Sequence, residues 1–245
     1  MNNKIEEKIQ RNYYANTANN YNEMHINEKD EHFYALSILI STLDYFEIKS
    51  ILDIGSGTGR AIKYIQEKRP DIRIVGIEPV KELREIAYKE GLSRDILIDG
   101  NALNIAYENN EFDLVCEFGV LHHIKQPEIV VSEMLRVAKK AIFISDSNNF
   151  GQGGLISRTL KQLINLIGLW KLIDFVKTKG KGYSISEGDG LFYSYSVFNN
   201  FKQIKKHCQS IHLFNTTTTK SPNLYQSASH VTILALKHTS AKQNN

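Results

Sequence analysis

Asp53, Glu78 and the pair His122-His123 are the residues whose types and spacing could do chemistry, and Asp53 opens the run Asp53-Ile54-Gly55-Ser56-Gly57-Thr58-Gly59. Glycines at alternate positions let a backbone turn sharply and approach a ligand where a Cβ would block it. The apolar Ile51-Leu52 before the turn and the helical pattern after it form a strand, a turn and a helix, the layout of a nucleotide-cofactor pocket. A dinucleotide fingerprint needs Gly-x-Gly-x-x-Gly, but counting on from Gly55 and Gly57 the third glycine position holds Arg60. Asp53 would repel a phosphate and suit a cofactor carrying an amino group. Glu78 follows Gly59 by 19 residues and precedes Pro79, where an acid at a strand end can accept both hydroxyls of a ribose.

The pattern Asp53-x-Gly55-x-Gly57-x-Gly59 resembles motif I of the class I S-adenosylmethionine-dependent methyltransferases. The resemblance runs from Ser50 to about Ser145. It takes in Glu78, the strand start Phe112-Asp113, the turn Leu121-His122-His123 and the helix Glu133-Met134-Leu135-Arg136-Val137. It implies S-adenosylmethionine as cofactor, held by Asp53, Gly55, Ser56, Gly57, Thr58, Gly59, Glu78, Pro79, Asn101, Ala102, Glu117 and Phe118, with Tyr14 and Tyr21 closing over its methionine end. Gly100-Asn101-Ala102 stands where the family usually presents Gly-Asp-Ala to the adenine amino group. Asn101 departs from that pattern, although its amide oxygen can still accept and its NH₂ can donate. Glu117-Phe118-Gly119-Val120 replaces the Asp/Asn-Pro-Pro-aromatic signature of related nucleobase methyltransferases, which argues against a flipped base as substrate.

Methyl transfer from a sulfonium asks the protein mainly to position a nucleophile and exclude water. For a hydroxyl acceptor, His122 and His123 are the candidate catalytic bases, their other reading being to order the turn or pack against the cofactor. The candidate acceptor-binding residues are Asp146 and Asn149 after the fifth strand, for sugar-like hydroxyls, and Tyr183, Glu187 and Tyr193 further on. Glu187 and Asp189 could attract an ammonium. The same residues would equally suit an unliganded surface loop. The expected activity is methyl transfer to an O or N atom of a small polar metabolite such as a sugar, a nucleotide sugar or a secondary-metabolite intermediate. Two other readings stand beside it: an RNA or protein methyltransferase, which would call for a basic surface beside the crevice, and a regulatory subunit that binds the cofactor without catalysis.

These residues require an α/β scaffold. Strand patterns alternate with helix patterns from Ser50 onward, which predicts a Rossmann-like, seven-stranded, mostly parallel sheet with helices on both faces and a C-terminal antiparallel strand pair. Residues 1–30, polar but interrupted by Tyr13, Tyr14, Tyr21 and Met24, read as a lid of short amphipathic turns. Residues 31–149 read as the cofactor-binding core, 150–195 as a substrate-covering insertion, 196–238 as the end of the sheet and 239–245 as a disordered tail. Within the insertion, Leu155 to Lys177 reads as one long amphipathic helix whose apolar face covers the site, packs on the sheet or meets a partner in a homodimer.

The net charge of +3 over 245 residues, with the lysines spread out, shows no nucleic-acid footprint and points to small-molecule partners. Cys116 and Cys208 have no metal-ligand spacing around them, so no metal is expected. The sequence starts without the apolar core of a signal peptide and contains no run of about 18 apolar residues. These features together predict a soluble cytoplasmic protein without a membrane span.

Overall fold

Short apolar runs separated by amphipathic stretches favour parallel strands joined by helical crossovers, and the chain takes that form. The structure, a computed structural model, describes residues 3–27, 29–217 and 223–238, so the expected tail at 239–245 lies outside the described residues. In chain order the first half comprises α1 (Asn3–Thr17), α2 (Tyr21–His25), α3 (Glu31–Thr42), β1 (Ser50–Ile54), α4 (Arg60–Lys68), β2 (Arg73–Ile77), α5 (Lys81–Lys89), β3 (Leu97–Ile98), β4 (Phe112–Phe118), α6 (Pro127–Val137) and β5 (Ala138–Ser147). The second half comprises α7 (Leu155–Leu166), α8 (Trp170–Lys177), β6 (Ser184–Ser186), β7 (Gly190–Phe192), α9 (Phe201–His207), β8 (Cys208–Asn215), α10 (Leu224–Ser227) and β9 (His230–Lys237).

Seven strands form one sheet in the order β3-β2-β1-β4-β5-β9-β8, parallel from β3 to β5, with β9 antiparallel to both β5 and β8. Side chains of α3 and α4 (Leu36, Leu39, Ile62, Ile65) fill one face of the sheet, and Val130, Val131 and Met134 of α6 with Ile204 of α9 fill the other. Each fully buried Leu or Ile contributes about 1.5–3 kcal/mol of transfer free energy, enough to fix which side of each helix faces the sheet. Register does the positioning: Asp53 pairs with Cys116 and Ile54 with Glu117, so the carboxyl ends of β1 and β4 lie side by side at one edge, where Gly55 and Phe118 begin their loops.

Two elements differ from the sequence expectation. Residues 3–25 are only partly the short turns expected: α2 is short, but α1 is a continuous helix of 15 residues whose Gln10 and Tyr14, four apart, share its inward face. The segment from Leu155 to Lys177 is not one helix. It breaks at Gly168, whose φ of +78° suits glycine, and α8 starts afresh at Trp170. The Gly-, Ser- and Tyr-rich stretch around residues 180–195, whose composition suits a loop or a hairpin, takes the hairpin form as β6–β7, pairing Ser184 with Phe192 and Ser186 with Gly190.

Candidate active site

The turn after β1 is shaped by its own backbone. Gly57 holds φ +57°, and a Cβ there would stand 2.6 Å from the Tyr21 hydroxyl, so the glycine lets Tyr21 pack against the turn. Gly57 N donates to Glu78 Oε2 (3.0 Å) and Val80 N to Glu78 Oε1 (2.8 Å), which ties the ends of β1 and β2 together through one carboxylate. Burial pushes the carboxyl pKa of Glu78 up to about 7, against the pull of those two N–H groups. Burial does the same to Asp53, also to about 7, and its Oδ2 is enclosed without a hydrogen-bond partner among the described residues. A buried carboxylate oxygen with nothing to accept from is a vacancy for a donor.

Two cavities meet above this turn. One is lined by Glu78, Pro79, Val80, Asn101, Ala102 and Phe118, with Tyr14 and Tyr21 above, and the other by Asp53, Gly55, Ser56, Thr58, Phe118 and the same two tyrosines. The donor set fits the expected cofactor: Asp53 for an ammonium, Glu78 for ribose hydroxyls, and an apolar slot at Val80 and Ala102 for a base. Asn101 Oδ1 already accepts from Leu103 N at 3.0 Å, leaving one lone pair and the NH₂ for a ligand. Two other expected contacts serve the scaffold. A Cβ on Gly59 would press on Leu92, so that glycine is needed for packing. Glu117 is fully buried outside the lining of both cavities and accepts from Val120 N at 2.8 Å, which holds the turn that follows β4. Thr58 lines the cavity, but its hydroxyl is given to Asn22 at 2.6 Å.

The N-terminal segment is tied down at several points. Gln10 donates to Asp189 O (3.1 Å) and accepts from Leu191 N (2.5 Å), joining α1 to the hairpin, while Arg60 reaches Asp30 at 3.0 Å. Tyr14 Oη lies 2.9 Å from His123 Nε2, and His123 Nδ1 lies 2.6 Å from Leu191 O. The carbonyl can only accept, so Nδ1 carries the proton and Nε2 accepts from Tyr14. His123, lowered in pKa by burial and by the neighbouring His122, is therefore a neutral residue already engaged at both nitrogens.

His122 is held differently. Its Nδ1 lies 2.7 Å from Asp146 Oδ1 and its Nε2 3.2 Å from Asp189 Oδ2. Burial pulls its pKa down, but the two carboxylates outweigh burial and raise it to about 10, so the ring is an imidazolium at neutral pH. An imidazolium with both N–H groups bound has no lone pair to act as a base, which removes His122 from that role. Asp146 is fully buried and accepts Leu121 N at 2.8 Å as well, so it orients the His122 turn and does not face a substrate. Asp189, offered by the sequence for an ammonium, joins the site, and so do Gln10, His25 and His32, which the sequence did not single out, although Gln10 and Tyr14 do share one helical face.

Beyond Asp189 and His122 the cavity opens into a cleft of about 610 Å³, lined by Asn149, Asp174, Tyr183, Tyr193, His32 and His230 among others. Asn149 Nδ2, Tyr193 Oη, His32 Nδ1 and His230 Nε2 are buried there without hydrogen-bond partners among the described residues. Glu187 is not brought in. It is exposed at the tip of the hairpin, where only its backbone carbonyl is used, by Tyr13 at 2.6 Å.

Residues 52–144 match the family described as methyltransferase domain. Norajmaline N-methyltransferase of Rauvolfia serpentina is 37% identical over 95 residues, covering 37% of this chain and 32% of that protein. Ajmaline N-methyltransferase of the same plant is 34% identical over 95 residues, with the same two coverages of 37% and 32%. The chain thus spans about a third of the length of these curated relatives. Among solved structures, a SAM-dependent methyltransferase from Thermotoga maritima shares the fold at 18% identity and a TM-score of 0.56, covering 93% of this chain and 99% of that one.

Proposed function

We propose that this protein, whose residues 52–144 match a methyltransferase domain, transfers a methyl group from S-adenosylmethionine to an N or O atom of a small polar acceptor seated in the cleft beyond Asp189. The observation that carries the reading is the position of Asp189, which borders both the cofactor cavity and the cleft full of unpartnered polar atoms. S-adenosylmethionine, when bound, supplies an electrophilic methyl group. Asp53 and Glu78 hold it at opposite ends, and Tyr14 and Tyr21 keep water from above. Asn149 and Tyr193 offer donors to an acceptor's oxygens. Asp189, its pKa kept well below the usual carboxylate range by the hydrogen-bonded His122 imidazolium against the effect of burial, stays charged and accepts a hydrogen bond from the acceptor's N–H or O–H. A fixed carboxylate in a cleft that Asp174 also lines suits an amine above a neutral hydroxyl, and both Rauvolfia relatives are named as N-methyltransferases. An amino-bearing sugar or secondary-metabolite intermediate is the acceptor class, and the cytoplasm its setting.

Incubation with labelled cofactor and a panel of amines, amino sugars, neutral sugars, nucleotide sugars, lipids and RNA tests the reading. Transfer to an amine or sugar is expected, and transfer to RNA alone would overturn it. Asp189→Asn should lower kcat/KM for that acceptor by roughly tenfold to a hundredfold, the cost of one charge-assisted hydrogen bond. S-adenosylhomocysteine affinity should change far less. An equal loss in both would return Asp189 to a purely structural role.

A further inference from the structure

The helix pair α7–α8 is mounted with its polar side inward. Gln162 donates to Phe150 O and Gln226 O, both at 2.9 Å, Asn165 donates to the Tyr225 hydroxyl at 2.9 Å, and Trp170 Nε1 reaches Ser194 Oγ at 3.1 Å. These contacts fix the rotation of both helices. The opposite side of α7 therefore carries Ile156, Leu160, Leu163 and Ile167, spaced four, three and four apart, out into solvent, with Ile156 85% exposed. Leu172, Phe175 and Val176 continue the apolar surface along α8. No described residue covers it. An outward stripe on a helix whose inward side is already hydrogen-bonded cannot turn in toward this chain's own core, so its partner is external.

Charge says which partner. Between Leu155 and Lys181 the chain has six basic residues (Arg158, Lys161, Lys171, Lys177, Lys179, Lys181) and one acid, Asp174. Lys161 is turned inward to the Asn149 carbonyl, while Lys171, Lys177, Lys179 and Lys181 are exposed around the far end of the stripe. The same face on a second copy would bring the same excess of positive charge and one acid to answer it. A sheet of anionic headgroups over acyl chains complements both features at once.

We propose that α7–α8 is an interfacial anchor that lays Ile156, Leu160, Leu163 and Ile167 into an anionic lipid bilayer with the lysines at headgroup level. Among the described residues no helix is long and apolar enough to cross a membrane, so the association is with the surface. Asp174 and Lys177, on α8, also border the acceptor cleft, so docking sets the mouth of the cleft beside the lipid surface. The proposal does not depend on methyl transfer, since it is read by binding alone.

Co-sedimentation of the full chain with vesicles tests it. Binding is expected to phosphatidylcholine vesicles containing phosphatidylglycerol, with much weaker binding to phosphatidylcholine alone and release by salt. Leu160→Ser/Ile167→Ser should weaken binding roughly a hundredfold, about tenfold for each apolar side chain no longer inserted. Replacing Lys171, Lys177, Lys179 and Lys181 together by Gln should cost about as much or more. All these positions are exposed, so melting temperatures should hold, which separates lost binding from lost folding. The anchor is refuted if the wild type ignores anionic vesicles, or if both variants bind as it does. A wild-type dimer that Leu160→Ser/Ile167→Ser turns into a monomer, without vesicle binding, would assign the face to a second copy instead.

Discussion

Glu78→Ala is expected to weaken S-adenosylhomocysteine binding by about a hundredfold or more, measured by titration calorimetry. Two hydroxyl donors lost from one carboxylate cost roughly 1.5–3 kcal/mol each, and every 1.4 kcal/mol is about tenfold. The substitution also frees Gly57 N and Val80 N, so the turn loses the tie that shapes it before any ligand arrives. Glu78→Gln, which keeps an acceptor oxygen, should recover part of the loss. Asp53 adds a pH signature. Its pKa of about 7 in the ligand-free protein means that below neutrality it is mostly protonated, whereas a bound ammonium favours the carboxylate. Affinity should therefore rise toward pH 7 and level off above it, and Asp53→Asn should reduce the slope by up to about tenfold per pH unit, leaving the share that comes from Glu78, whose pKa is also raised to about 7. The folded, ligand-free protein holds this proton across the window from the ordinary Asp pKa of about 3.9 to about 7, so Asp53 lowers stability as pH rises through that window. Affinity that is flat with pH and indifferent to Glu78→Ala would remove both residues from the cofactor site.

The sequence is most legible where local signals and tertiary role coincide. From Ser50 to Ser145, an apolar run, a glycine turn and an amphipathic helix each announce themselves, and the parallel order of β3 to β5 follows from their alternation. Glu133 to Val137, read as helix, lies in the last turns of α6, which Pro127 opens at a position where its missing N–H costs nothing. Elsewhere the signals are one-dimensional. The period of Leu155 to Lys177 reveals an apolar face but not its direction, because that depends on Gln162 and Asn165 finding carbonyl and hydroxyl partners some 60 residues away in α10. The Asn-rich opening conceals α1, whose stability comes from Gln10 and Tyr14 meeting the hairpin and His123. The charge of His122 was unreadable for the same reason. A histidine beside a histidine looks like a base near neutral pH, and only the arrival of Asp146 and Asp189 from 24 and 67 residues along the chain makes it a fixed cation.

That fixed cation makes Asp146 the residue whose loss should unfold the site most readily. Asp146→Ala leaves a buried imidazolium short of its closest carboxylate and orphans the Leu121 amide, a loss of about 3–5 kcal/mol. For a chain of this size that is a fall in melting temperature of roughly 10 °C. The pH dependence follows from the two shifts. Asp146 is held below the ordinary carboxylate range because the charge of His122 outweighs its burial, so its contribution is present above pH about 4 and is lost as pH falls. His122, raised to about 10, contributes fully below its unfolded pKa of about 6.5, and that contribution is lost as pH climbs toward 10. The pair is thus strongest between about pH 4 and 6.5, and wild-type melting temperature should decline on the alkaline side. Asp146→Asn keeps an oxygen for Leu121 N but removes the charge. The alkaline decline should then begin nearer neutrality, because only the partly exposed Asp189 still favours the imidazolium. A melting temperature within about 2 °C of wild type for Asp146→Ala would mean that His122 is neutral in the folded protein, and would restore it as a candidate base.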